Sequence, residues 1–127
     1  MAGSSGSLHE NEQSLTPETI DRHRAIVSIM EELEAIDWYD QRVDAATDEE
    51  LKGLLAHNRD EEKEHAAMML EWLRRRDAKL NEHLRTYLFT EGPILEIEEE
   101  AEGKGGGGEG SDESAGDGTL GIGSLRS

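Results

Sequence analysis

Residues 58–65 read Asn-Arg-Asp-Glu-Glu-Lys-Glu-His, and they place two ionisable side chains on the apolar face of a predicted helix. Glu62 and His65 lie three positions apart, so a helix sets them side by side. Both belong to a seam whose members alternate at steps of four and three: Leu51, Leu55, Asn58, Glu62, His65, Met69 and Trp72. Burying a carboxylate and an imidazole without partners costs several kcal/mol. The leading hypothesis is therefore a metal site; the alternatives are a tight ion pair or a solvated pair on a charged helix.

The preceding helix has a clear start signal. Thr16 is a favourable capping residue, and Pro17 suits the first helical position. Nothing in the sequence breaks the helix before about Ala45. Its seam has the same three-and-four spacing: Ile29, Glu32, Ile36, Tyr39 and Val43. Glu32 therefore interrupts this seam in the way that Glu62 interrupts the next one.

A second start signal separates the two helices. Thr47 and Glu50 have the spacing of a capping box, which predicts a turn around residues 45–47 and a second helix to about Arg76. A short turn makes neighbouring helices antiparallel. Glu32 and Glu62 are each fifteen residues from Thr47, which corresponds to about 22 Å from the turn. We therefore expect Glu32, Glu62 and His65 to lie level and to form one site.

The rest of the chain divides by composition. A shorter amphipathic helix is predicted within residues 77–90, and a last helix over 94–101. Ten of the fourteen glycines lie between Gly103 and Gly123, which is typical of a linker. Asp117 to Arg126 regains spaced apolar residues, a pattern typical of a docking peptide. We predict a flexible segment at 1–15, a helical domain at 16–101, a Gly-rich acidic linker at 102–116 and a docking peptide at 117–127.

The overall composition excludes several classes of ligand and partner. The chain has no cysteine, so Asp, Glu and His are the only strong metal ligands, and they suit iron, manganese or a harder cation. The formal net charge of -17 argues against a nucleic-acid partner and favours attraction of cations. No apolar run reaches the length of a membrane span or resembles a secretion signal. These features predict a cytoplasmic protein with no membrane partner.

One chain is too small to complete this architecture. Two helices of about thirty residues and a short third one cannot enclose a core of their own. Glu32, Glu62 and His65 also supply only half of the ligands that a di-iron carboxylate centre takes from the helices of a four-helix bundle. The sequence therefore predicts an all-α fold of two long antiparallel helices plus a short C-terminal helix, completed by an isologous dimer.

Together these residues resemble the encapsulated ferritins. The features that carry the resemblance are Glu62-x-x-His65 with Glu32 level on the preceding helix, Trp38-Tyr39-Asp40, and the closing docking peptide. They cover roughly residues 19–97 and the tail. Compared with ordinary ferritin, the chain lacks the second Glu-x-x-His motif and two of the four bundle helices. The resemblance implies half of a ferritin-like bundle, completed by dimerisation and assembled into a ring-shaped decamer.

The resemblance also implies site roles and partners. The ferroxidase centre would comprise Glu32, Glu62 and His65 from two chains, holding two iron ions per subunit pair. Tyr39 would lie near the metals, and Glu31 and Glu34 would form an outer site where metal enters. The tail, Asp117 to Arg126, would dock the protein inside an encapsulin nanocompartment.

These expectations define a ferroxidase that oxidises Fe(II) with dioxygen as acceptor and delivers iron for storage in the shell. The alternative is a non-catalytic helical adaptor that buffers metal ions and docks through the same peptide. Calcium is also compatible with the carboxylate sites, because hard oxygen ligands accept it.

Overall fold

The structure, a computed structural model, describes residues 7–108, and all of its regular elements there are helical. A short 3-10 turn at Glu12–Ser14 is followed by four α-helices, which we label α1 (Pro17–Ala45), α2 (Glu49–Arg75), α3 (Ala78–Tyr87) and α4 (Ile94–Gly108). No described residue lies in a β-strand. The prediction of an all-α protein dominated by two long helices is therefore confirmed. The chain forms two compact units, Met1–Asn81 and Glu82–Ser127.

The first unit is built on the α1–α2 hairpin, and its helix starts follow from capping chemistry. Thr16 caps α1 by accepting a hydrogen bond from the Thr19 backbone N–H at 3.1 Å, and Pro17 occupies the first helical position as predicted. The prediction that Thr47 caps α2 is wrong. The cap is Asp48, whose carboxylate accepts from the Leu51 N–H at 2.9 Å. A carboxylate at this position also interacts favourably with the positive end of the helix dipole.

The two long helices are antiparallel, as contacts along their length show. Asp40 of α1 pairs with Arg59 of α2 at 3.0 Å, whereas Glu32 pairs with His65 at 3.7 Å. As the residue number falls along α1, the partner's number rises along α2. Only the three residues 46–48 connect the helices, and such a short connection enforces this arrangement.

The hairpin encloses little interior. Among the described residues, the buried apolar side chains are Ala25 at 2 % and Leu73 at 7 % exposure, one on each helix. Many large apolar side chains are instead exposed on α1 and α2: Ile26, Leu33, Trp38, Leu51, Leu54 and Met68. A single copy therefore leaves most of the apolar surface of its two long helices uncovered.

In the second unit, α4 extends further than the sequence predicts. It ends at Gly108 rather than near Ala101, so it includes the first part of the predicted linker. Glycine disfavours a helix interior by about 1 kcal/mol relative to alanine but does not forbid it sterically, whereas proline does. Before α4, the chain turns through Phe89 (φ 63°) and Gly92 (φ 106°), both in the left-handed region. Within residues 7–108, none of the helices combines the length and apolar character of a membrane span. The predicted docking peptide, 117–127, lies outside the described residues.

Candidate metal centre

Three potential metal ligands converge between α1 and α2. Glu32 projects from α1, and Glu62 and His65 from α2; one ligand atom of each lies within 4.8 Å of the other two. The Nδ1 atom of His65 is 3.4 Å from Glu62 Oε1 and 3.7 Å from Glu32 Oε1. The two glutamate side chains are 24 % and 26 % exposed, and the His65 side chain 46 %. The structure thus brings together the three residues that the seam analysis singled out.

Helix register brings these groups level. Arg59 of α2 contacts Asp40 of α1 at 3.0 Å and Asp60 of its own helix at 3.1 Å, and its side chain is only 22 % exposed. Glu62 follows Arg59 by about one turn, and Glu32 precedes Asp40 by about two turns. Both helices are continuous from this contact to the carboxylates, so any sliding of one helix past the other would change the distance between Glu32 and Glu62.

The pKa values of the two carboxylates shift in opposite directions. A hydrogen bond with Glu62, followed by burial and by the negative charge of Glu62, raises the pKa of Glu32. The same hydrogen bond lowers the pKa of Glu62, and the neighbouring His65 lowers it further. Two carboxylates this close compete for one proton, because both cannot ionise without repelling each other. A cation in the same place removes that conflict.

The donor set fits a divalent transition metal. Two carboxylate oxygens and one imidazole nitrogen are ligands that suit iron or manganese. They are also too few to complete the coordination shell of such an ion, which takes at least four ligands. Water, bound substrate or another chain must supply the remaining ligands, so the single chain offers part of a candidate metal site.

The other predicted site residues lie outside this cluster of three. Tyr39 is half-buried on α1, and the Arg42 guanidinium lies 5.4 Å from the centre of its ring. Glu31 is exposed and Glu34 is half-buried, both on α1. In the part of the chain that the structure describes, the grouping of three ligand atoms includes none of these residues.

Glu61, which was not predicted from the sequence, contacts the other side of the imidazole. Its Oε1 atom is 4.0 Å from His65 Nε2, and its Oε2 atom is 3.8 Å from His57 Nε2. The three residues follow each other at steps of four on α2, which places them on one helical face. That spacing could have indicated the contact, but Glu61 lies off the apolar seam.

Comparisons with known proteins agree with this geometry. The family model described as EncFtn-like matches residues 7–91. The "Encapsulated ferritin-like protein" of Rhodospirillum rubrum is 67 % identical over 99 % of this chain and 92 % of its own. The "Ferritin-like protein" of Thermotoga maritima is 52 % identical over 92 % of this chain and 96 % of its own.

Two further matches concern structure and a cargo protein. The crystal structure of protein NE0167 from Nitrosomonas europaea superposes with a TM-score of 0.67 at 60 % identity, covering 69 % of this chain and 97 % of that one. The "Encapsulin nanocompartment cargo protein EncC" of Myxococcus xanthus is 39 % identical over 46 % of this chain and 45 % of its own. Because the family model spans most of the helical part and two relatives match nearly end to end, the chain belongs to the EncFtn-like family of encapsulated ferritin-like proteins.

Proposed function

We propose that this protein is a ferroxidase that oxidises Fe(II) to Fe(III) at a di-iron centre formed between two subunits. The observation that carries the proposal is the convergence of Glu32, Glu62 and His65 within 4.8 Å across two helices. Carboxylates and imidazole form the donor set of di-iron proteins built on helical bundles. The names of the relatives from Rhodospirillum rubrum and Thermotoga maritima, both ferritin-like, support the same chemistry.

A second copy of the chain completes the site. Related by a two-fold axis, it contributes the same three side chains from the opposite side, so that each pair of subunits holds two iron ions. The exposed apolar side chains of α1 and α2 support such a pairing, because burying them gives the association its driving force. The pairs in turn assemble into the ring-shaped decamer that the family resemblance implies.

Iron is the substrate in this reaction. Each Fe(II) gives up one electron, so the pair supplies the two electrons that, with two protons, reduce dioxygen to hydrogen peroxide. The protein holds both ions in the geometry for this transfer and neutralises their charge. Glu31 and Glu34 on α1 attract further Fe(II) toward the site, and Tyr39 lies beside it.

Rate measurements test the ferroxidase proposal. Glu32→Ala, Glu62→Ala and His65→Ala should each abolish nearly all Fe(II) oxidation followed by absorbance. Glu50→Ala is the matched control, since Glu50 is an exposed acid in the first turn of α2, about 18 Å along the helix from Glu62. Unchanged rates in the three site variants would favour a non-catalytic adaptor that only buffers metal. Anomalous scattering at the iron edge, on crystals soaked with Fe(II), should locate two ions between two chains.

We also propose that the protein is cargo of an encapsulin shell and works within that nanocompartment. The name of the Myxococcus xanthus relative, an encapsulin cargo protein, supports this. Asp117 to Arg126 is the docking segment. A chain ending at Gly116 should assemble and oxidise iron normally but fail to enter a co-expressed shell. Loading equal to that of the full chain would assign docking to another part of the protein.

A further inference from the structure

We propose that Glu61 is a positioning residue that sets which nitrogen of His65 binds metal. This inference rests on the proposed function, because it concerns the same site. It assigns a role to a side chain one helical turn before His65, outside the group of three ligands.

The two sides of the His65 ring have different surroundings. Nδ1 lies 3.4 Å from Glu62 and 3.7 Å from Glu32, so this nitrogen shares its space with the other two ligands. Nε2 points to the opposite side, where Glu61 Oε1 is 4.0 Å away. Within residues 7–108, Glu61 is the only acidic side chain paired with that nitrogen.

An imidazole that binds a metal uses one nitrogen as ligand and keeps a proton on the other. The partner that accepts this N–H fixes the tautomer and the orientation of the ring. Glu61 is placed to be that acceptor: with Nε2–H directed to Glu61, the Nδ1 lone pair faces the space between Glu32 and Glu62. The present 4.0 Å separation exceeds a hydrogen bond. The Glu61 side chain is 49 % exposed, so it has room to change rotamer and close this gap when the ring binds metal.

A second imidazole lies on the other side of Glu61. The Glu61 Oε2 atom lies 3.8 Å from His57 Nε2, one turn earlier on the same helix. The carboxylate therefore lies between two imidazoles, with one oxygen directed to each. This arrangement places Glu61 beside His65, on the side of the ring opposite Glu32 and Glu62.

Metal affinity provides a test that does not depend on iron oxidation. In the assembled protein, Glu61→Ala should weaken binding of redox-inert Zn(II), measured by competition with a chelator, by about 10-fold or more. Glu61→Gln should retain most of the affinity, since its amide oxygen still accepts from Nε2–H. Glu64→Ala, which removes an equal charge from another exposed position of α2, should bind Zn(II) as the unaltered chain does. If Glu61→Ala and Glu64→Ala lost Zn(II) affinity equally, Glu61 would act only through its charge, and the proposal would be overturned.

A spectroscopic signature identifies the nitrogen. With Co(II) bound, the N–H proton of His65 should give a paramagnetically shifted resonance that is visible in water. It should persist in Glu61→Gln and be lost to solvent exchange in Glu61→Ala. An unchanged resonance in Glu61→Ala would overturn the proposal even if iron oxidation were intact. Conversely, the expected Zn(II) and Co(II) results in a protein that fails to oxidise Fe(II) would refute only the ferroxidase function.

Discussion

Glu32→Gln should stabilise the metal-free protein, because it removes one of two carboxylates that repel each other. Their ligand oxygens lie within 4.8 Å, and two unit charges at that distance repel by about 0.9 kcal/mol in water and about 3.5 kcal/mol at an effective dielectric constant of about 20. Both side chains still reach solvent, being about one-quarter exposed, so we take the lower value as the minimum repulsion. We expect the free energy of unfolding to rise by about 1 kcal/mol at pH 7.

The assay is urea unfolding followed by circular dichroism, with chelator present and at one subunit concentration. Glu31→Gln is the matched control: it removes an exposed charge from the adjacent position and should have a smaller effect. The pKa of Glu32 is raised in the folded state, so the repulsion is fully present above that pKa and disappears as the pH falls through it. The gain from Glu32→Gln should therefore shrink as the pH is lowered toward 4.5, the ordinary pKa of a glutamate.

When metal is bound, the unaltered chain should become more stable than Glu32→Gln. An ion present at 100 times its dissociation constant stabilises a folded protein by about 2.7 kcal/mol. Zn(II) should therefore stabilise the unaltered chain more than Glu32→Gln, which has lost one ligand. The reasoning is refuted if Glu32→Gln is the less stable protein in chelator, or if it gains no more than Glu31→Gln.

Three other outcomes test the hairpin by the same urea titration. Leu73→Ala should lower the free energy of unfolding by about 2 to 4 kcal/mol, because the side chain is 7 % exposed; a comparable loss in Leu95→Ala, at an exposed leucine outside α1 and α2, would contradict that explanation. Asp48→Ala should cost about 1 kcal/mol and Thr47→Ala much less, since Asp48 caps α2; equal losses would restore Thr47 as the cap. Hydrogen bonds from two arginines lower the pKa of Glu71 to about 2 from 4.5, so its stabilisation is complete above about pH 4.5 and is lost toward pH 2. Glu71→Gln should accordingly lose less stability at pH 3 than at pH 7, and a pH-independent loss would argue against the ionised pair.

The sequence predicted most of the hairpin, because its signals are local. Thr16 and Pro17 indicated the start of α1, and the three-and-four spacing of apolar residues predicted both long helices. The level placement of Glu32 and Glu62 followed from counting along two helices of constant rise, and their side chains do converge.

The features that the sequence did not predict involve alternative conformations of nearly equal free energy. Thr47 and Asp48 are both good capping residues, and only the chain's path selects Asp48. The end of α4 at Gly108 involves glycines, whose preference against helix is weak enough for a local continuation. Glu61 was missed because it lies off the apolar seam, and the spacing of four that links it to His57 and His65 is common among exposed residues of a charged helix. The contacts of the proposed second subunit depend on a surface that one chain's periodicity cannot define.

The Asp40–Arg59 pair is a second tie between the two long helices, besides the connection at residues 46–48. It lies between that connection and the candidate ligands. Because the Asp40 side chain is 57 % exposed, the pair stabilises the alignment of the helices by about 1 kcal/mol or less. The vertical match of Glu32 with Glu62 therefore depends on the packing of whole helices, and loss of this one pair should leave it in place.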